Sequence, residues 1–149
     1  MNSTITLSTE IWRIQLPGDW TRRESSGRGS AYFESADGTQ GAYFSSLRLP
    51  TGRTQREELE AISALEVRGL HAMEGRKWEI MDRSCSAGQE ACRIVTDAWD
   101  RLSGYRIVSQ LLASGPWIAR MSLHDYQCSD FLRSKQASLA ILDSFQMNE

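Results

Sequence analysis

The chain reads as an α+β domain in which one antiparallel sheet of about six to seven strands carries two main helices. Three observations lead there. Several short segments alternate apolar and polar residues, the period of a half-buried strand. Two longer segments repeat apolar residues at helical spacing, each opened by a capping residue. The last four strand-like segments are joined by turns too short for parallel crossovers, so they form an antiparallel meander. At 149 residues the chain has the length of one domain, 1–149. It buries roughly two-thirds of its unfolded surface without needing a metal or disulfide staple.

Taken in order, residues 11–16 place Trp12, Ile14 and Leu16 on one side of a strand, with Arg13 and Gln15 between them. Pro17-Gly18-Asp19 ends it, Trp20 follows, and residues 22–29 read as an exposed loop of Arg, Ser and Gly. Residues 31–35 and 42–49 flank Asp37-Gly38-Thr39-Gln40-Gly41, and Asp-Gly between β-prone runs predicts a hairpin. Thr54 opens the first helix, with Glu57 three residues on as a capping box. Glu57, Glu58 and Glu60 suit the helix dipole. Leu59, Ile62, Leu65, Leu70 and Met73 form the expected apolar stripe, and Gly75 the expected end.

Strands are expected next from Trp78, where Trp78, Ile80 and Asp82 alternate with Glu79 and Met81, and then over 91–99, 105–113 and 117–123. Ser129 caps the second helix, with Asp130 in its first turn. Leu132, Leu139 and Leu142 form its apolar face, Phe131, Ala137 and Ile141 lie alongside, and Phe145 plugs the core. Two helices leave part of one sheet face bare, and that face is the expected binding surface.

The net charge is −2 and the pI about 5.7, a balance that argues against nucleic acid as the partner. Of the 17 basic residues only Lys77 and Lys135 are lysines. Codon bias explains that; so does a carboxylate-bearing partner met by arginine forks, with Arg22, Arg23 and Arg28 as the cluster to watch. The N-terminal segment has no basic region and no apolar run of signal-peptide length, and no stretch is long enough to span a bilayer. The chain is therefore expected in the cytoplasm. Cys85, Cys92 and Cys128 read as reduced thiols there; Cys85 and Cys92 flank a turn and could pair across a hairpin if oxidised.

Enzyme signatures are missing. There is no P-loop and no dinucleotide fingerprint, and Gly27-Arg28-Gly29-Ser30 precedes a strand, not a helix start. No Gly-x-Ser-x-Gly elbow occurs. His71 falls late in the first helix, where it suits the exposed carbonyls. The run His124-Asp125-Tyr126-Gln127-Cys128 allows three readings: a structural loop with a buried thiol, a reactive Cys128–His124 pair, or part of a metal site that lacks further ligands. Trp12, Trp20 and Trp78 read as core. Tyr43, Trp99, Tyr105 and Trp117, with Tyr32, lie near turns, where aromatics serve either packing or recognition.

The opening strand running into Leu16-Pro17-Gly18-Asp19-Trp20, the hairpin leading directly into a long capped helix, and the last helix running into Ile141-Leu142-Asp143-Ser144-Phe145 together resemble the PsbP-like or DcrB-like family of small α/β/α sandwiches. The resemblance covers nearly the whole chain, and its motifs are structural. It implies a scaffold of binding and assembly factors, among them cytoplasmic adaptors of type VI secretion, and it carries over no catalytic residue. The chain departs from the secreted members in its N-terminus and from the adaptors in its Arg/Ser/Gly segment. The function expected is that of a non-catalytic cytoplasmic bacterial binding protein, a secretion- or toxin-system accessory acting as effector adaptor, chaperone or immunity protein. Its partner would be another protein, an effector or a toxin, with a homodimer as a further possibility and no cofactor. The alternatives are a small-molecule or lipid carrier with its cavity between sheet and helix, and an enzyme using Cys128 and His124.

Overall fold

Alternation of apolar and polar residues turns into ten strands in a computed structural model that describes residues 3–23, 30–87 and 91–148. They are β1 (Thr4–Ser8), β2 (Trp12–Pro17), β3 (Thr21–Arg23), β4 (Ala31–Glu34), β5 (Gln40–Arg48), β6 (Glu79–Ala87), β7 (Ala91–Asp100), β8 (Tyr105–Ser114), β9 (Trp117–Asp125) and β10 (Gln146–Met147). Helix α1 (Gln55–His71) lies between β5 and β6, and α2 (Phe131–Ser144) between β9 and β10. Seven strands form one sheet in the order β3-β4-β5-β9-β8-β7-β6, every neighbour antiparallel. The expected meander is its β9-β8-β7-β6 half. The Asp37-Gly38 turn is present, with Gly38 at φ 72°, the left-handed region open to glycine.

One strand is not where the sequence reading put it. Residues 12–17 do not belong to the large sheet; β2 pairs with β1 and β10 in a second sheet of three strands. Trp12, Ile14 and Leu16 of that sheet press onto Phe33, Ala42, Phe44, Ala119, Met121 and Leu123 of the large one. The seventh strand of the large sheet is β3, which lies where a loop was expected. Its three residues are all exposed, so they offered no apolar period to detect.

Both helices begin as capping chemistry requires. The Thr54 hydroxyl accepts the Glu57 N–H at 3.1 Å, and Thr54→Ala should lower unfolding stability by about 1 kcal/mol in urea denaturation. At α2 the cap is Asp130, not Ser129: its carboxylate accepts the Arg133 N–H at 3.2 Å. α1 ends at His71, not at Gly75, which instead takes φ 76° in the turn beyond.

The buried stripes are shifted from those expected. In α1, Leu59 is sealed but Leu65 is 60% exposed; six residues on from Leu59 is roughly 120° around the helix, and Ile62, Ser63 and Glu66 hold the inward positions instead. In α2, Ser138, Ile141 and Leu142 are buried while Leu132 is 71% exposed. The inward row there begins with Ser134 and Ser138, which meet the guanidinium of Arg106. Phe145 is buried as expected.

The layers are unequal. α2 and the small sheet together cover one face of the large sheet, apart from its β6 edge, which is mostly exposed. On the other face α1 packs on β7 and β8, where Leu59 meets Ile94, Leu111, Ala113 and Ile118. Beyond the helix, β4 and β5 keep that face bare, with Tyr43 and Leu47 about 40% exposed. Gly69 sits in α1 over this side of the sheet, and an added Cβ would meet nothing within 4 Å. Glycine inside a helix is disfavoured relative to alanine, so Gly69→Ala should raise stability by about 1 kcal/mol, read as a higher urea midpoint.

Candidate functional site

Side chains on one face of an antiparallel sheet line up in rows across the strands. One row on the α1 side runs Thr96–Ser109–Ser122–Tyr43, since Thr96 pairs with Ser109, Ser109 with Ser122 and Ser122 with Tyr43. The next row runs Ala98–Ile107–His124–Gly41. The second half of α1 passes above both rows and does not seal onto them. A cleft of about 490 Å³ remains, roofed by Glu66, Gly69, Leu70 and Met73 and floored by the two rows together with Arg120.

The floor is polar at its centre. Glu66 accepts from the Ser109 hydroxyl at 2.7 Å and from Arg120 Nε at 2.5 Å, so the one guanidinium on the floor already has its counter-charge. His124 holds Tyr105 Oη at 2.5 Å on Nδ1 and Ser122 Oγ at 2.8 Å on Nε2. A neutral imidazole satisfies both, one nitrogen donating and the other accepting. Burial, with a smaller contribution from the nearby Arg120 charge, lowers the His124 pKa to about 4.

That shift sets a pH dependence. The unfolded histidine titrates near its ordinary value of 6.5, so between pH 6.5 and 4 the unfolded chain binds a proton that the folded chain refuses. The stabilisation is complete above about pH 6.5 and is lost as pH falls towards 4, by about 3 kcal/mol in all. Urea midpoints measured from pH 7 to pH 4 should drop more steeply for the natural chain than for His124→Gln.

All four tyrosines of the chain gather at this end of the sheet. Tyr32 stacks on Tyr43 with centroids 4.3 Å apart, Tyr43 Oη meets Tyr126 Oη at 3.2 Å, and the Tyr126 ring lies 5.2 Å from that of Tyr105. Trp78 stands edge-on to Tyr105 at 5.1 Å, and the Arg76 guanidinium covers the same ring at 4.8 Å. Gly41 makes room for the group: a Cβ there would sit 2.8 Å from the Tyr32 ring and 3.1 Å from Tyr126 Oη. Burial pushes Tyr105 up to about 12 and raises Tyr126 as well. These phenols stay protonated at neutral pH and form an uncharged, hydrogen-bonding wall.

Of the residues singled out in the sequence, Tyr43, Tyr105 and His124 come together here, with Tyr32 and Tyr126 beside them. Trp99, Trp117 and the arginines do not. Trp99 is buried on the opposite face, tilted against Phe131, its Nε1–H donating to the Cys128 carbonyl at 3.0 Å. Trp117 is at the far end of β9, with Arg48 over its ring at 5.5 Å. Arg23 pairs with Glu34 at 3.0 Å, Arg22 is exposed beside it on β3, and Arg28 lies outside the described residues.

The Cys128–His124 pair is not formed. Both His124 nitrogens are taken by Tyr105 and Ser122, while Cys128 is buried and its thiol faces the Asp130 carbonyl at 3.7 Å. Burial raises that thiol's pKa, the opposite of what activates a nucleophile. Asp125 accepts from Ser134 Oγ at 2.6 Å and from the Gln127 N–H at 3.1 Å, the contacts of a structural turn. Among the described residues no three His, Cys, Asp or Glu side chains are grouped to hold a metal ion. Cys85 and Cys92 are free thiols placed diagonally, since Cys85 pairs with Ile94 and Cys92 with Ala87.

The sequence reading missed Thr96, Ser109, Ser122 and Gly69. Three small hydroxyl residues in three successive strands were the available signal, but only the register shows that they form one row.

No protein-family model matches the chain, and no curated protein does. Among solved structures, a cyanobacterial PsbP (CyanoP) from Synechocystis sp. PCC 6803 aligns with a TM-score of 0.77 and 10% identity, over 99% of this chain and 94% of that one. A structure from Bacteroides thetaiotaomicron VPI-5482 aligns with a TM-score of 0.50 and 15% identity, over 93% of this chain and 45% of that one. Identities this low speak for architecture alone: the two helices, the large antiparallel sheet and the small sheet at its side make a PsbP-like fold.

Proposed function

We propose that this chain works by binding, without chemistry of its own, and that the α1 side of the large sheet is the binding face. The observation that carries the reading is the unequal cover of that sheet. One face is covered by α2 and the small sheet except along the exposed β6 edge; on the other, α1 covers β7, β8 and part of β9, and Tyr43, Ser45 and Leu47 of β5 stand at or beyond the helix edge. Apolar groups left exposed together mark a surface that another molecule covers. The imidazole tied on both nitrogens and the thiol raised by burial support the absence of a reaction.

The finer reading is a cytoplasmic bacterial accessory of a secretion or toxin system, an effector adaptor or an immunity protein, with a protein as its partner. No helix is long and apolar enough to cross a membrane among the described residues. The test is affinity capture from the native cells with the tagged chain and with Leu47→Asp, a change on the exposed strip outside the cleft. A protein recovered with the natural chain and lost with Leu47→Asp is expected. Recovery of the same set by both, or of no protein by either, overturns the reading.

A further inference from the structure

Three features of the cleft under α1 lack a structural reason. Gly69 weakens the helix, yet no neighbour would touch a side chain there. Thr96 is only 4% exposed, lines the cleft, and its hydroxyl makes no hydrogen bond among the described residues, although its row neighbours Ser109 and Ser122 are both engaged. The end of α1 and the turn beyond it carry Leu70 and Met73 over the sheet without closing on it. A glycine inside a helix costs stability, and the Thr96 hydroxyl stands at the wall of the open cleft, free to meet a further group. A ligand resting between them accounts for all three.

We propose that this cleft binds an uncharged, largely apolar small molecule carrying one hydrogen-bonding group, which meets the Thr96 hydroxyl. The volume of about 490 Å³ falls in the range of small-molecule sites, roughly 300–1,000 Å³. Leu70, Met73, Ala98, Ile107 and the Tyr43 ring supply apolar walls. Charge is disfavoured on both signs. Arg120 is already neutralised by Glu66, and the remaining polar groups on the floor and wall are neutral, so an ionic ligand would be desolvated without a counter-ion. The hydroxyl of Thr96 both donates and accepts, so an amine, a hydroxyl or a carbonyl satisfies it.

The cleft and the docking strip share Tyr43, but Leu47 lies outside the cleft, so the two readings are separable at that residue. It is tested with two dyes that share a ring system: N-phenyl-1-naphthylamine, which is uncharged, and 8-anilinonaphthalene-1-sulfonate, which is anionic. Fluorescence titration of the whole chain should show one saturable site for the uncharged dye and binding at least about tenfold weaker for the sulfonate, the tenfold that one unfavourable desolvation produces. Gly69→Phe, which fills the cleft, should abolish the signal, and the near-isosteric Thr96→Val should weaken it by roughly tenfold, as loss of one buried hydrogen bond does. Circular dichroism confirms that each variant is folded, and Thr96→Val decides the matter should Gly69→Phe not fold. Equal binding of the two dyes, or binding unchanged in a folded variant of either residue, overturns the proposal. Leu47→Asp should bind the dye like the natural chain, so failure of the docking reading and failure of this one remain distinct.

Discussion

Arg106→Met should lower the unfolding free energy by about 3–5 kcal/mol, the cost of breaking a buried ion pair from one side. Arg106 is 2% exposed and grips both oxygens of Asp97, through Nε at 2.9 Å and Nη2 at 2.8 Å. Its Nη1 donates to Ser134 and Ser138 of α2 at 3.0 Å each, and its guanidinium lies 5.3 Å from the Phe131 ring. Methionine fills the stem's volume and returns none of these bonds. It leaves the Asp97 carboxylate buried without its partner and two serines facing an apolar chain. For a domain of this length the loss corresponds to a melting point lower by about 10 °C. The double variant Arg106→Met/Asp97→Leu removes both charges and should regain most of the loss, because a well-packed apolar pair replaces a buried ion pair at little cost. Equal destabilisation of single and double variants in urea titrations would show that packing, not the orphaned carboxylate, sets the penalty.

The same residue explains where the sequence could and could not be read. Strand periods, the Asp37-Gly38 turn, the Thr54 cap and the meander were all local signals, and the structure contains each of them. α2 is placed as expected and buries Ile141 and Leu142, but Leu132 and Leu139 face out; in the sequence Leu132 looked like core and Ser134 and Ser138 did not. Only the buried guanidinium on β8, reached across the layers, makes serine the better inward residue. The misplaced β2 has a similar cause: alternation identifies a half-buried strand but not which sheet it joins, and the partner β10 lies more than a hundred residues away in sequence. For the site, His124, Tyr43 and Tyr105 were visible as residue types that bind or react. Thr96, Ser109 and Ser122 were not, since single hydroxyls in strands are unremarkable until the register sets them side by side. Gly69 was silent for a related reason: its meaning depends on the space around it, which no local pattern encodes.

Phe44→Ala should cost about 3–5 kcal/mol, the range for removing a buried aromatic ring, while a polar change three residues further along the same strand costs little. Phe44 stacks on Trp12 at 4.7 Å and 16°, meets Phe33 edge-on at 6.0 Å, and tilts against Phe145 at 5.9 Å. It therefore joins three parts of the chain: the large sheet, the small sheet and the segment that follows α2. Alanine opens a cavity where these meet, so the tryptophan emission of the native state should change as Trp12 loses its stacked partner, and the urea midpoint should fall. Leu47 points to the other face of β5 and is 37% exposed, so Leu47→Asp should stay within about 0.5 kcal/mol of the natural chain, as surface changes do. The contrast between the two residues measures the asymmetry on which the binding face depends. If the bare side of the sheet were packed against anything in the free protein, burying a new carboxylate there would be as costly as removing the ring, and the two variants would unfold together.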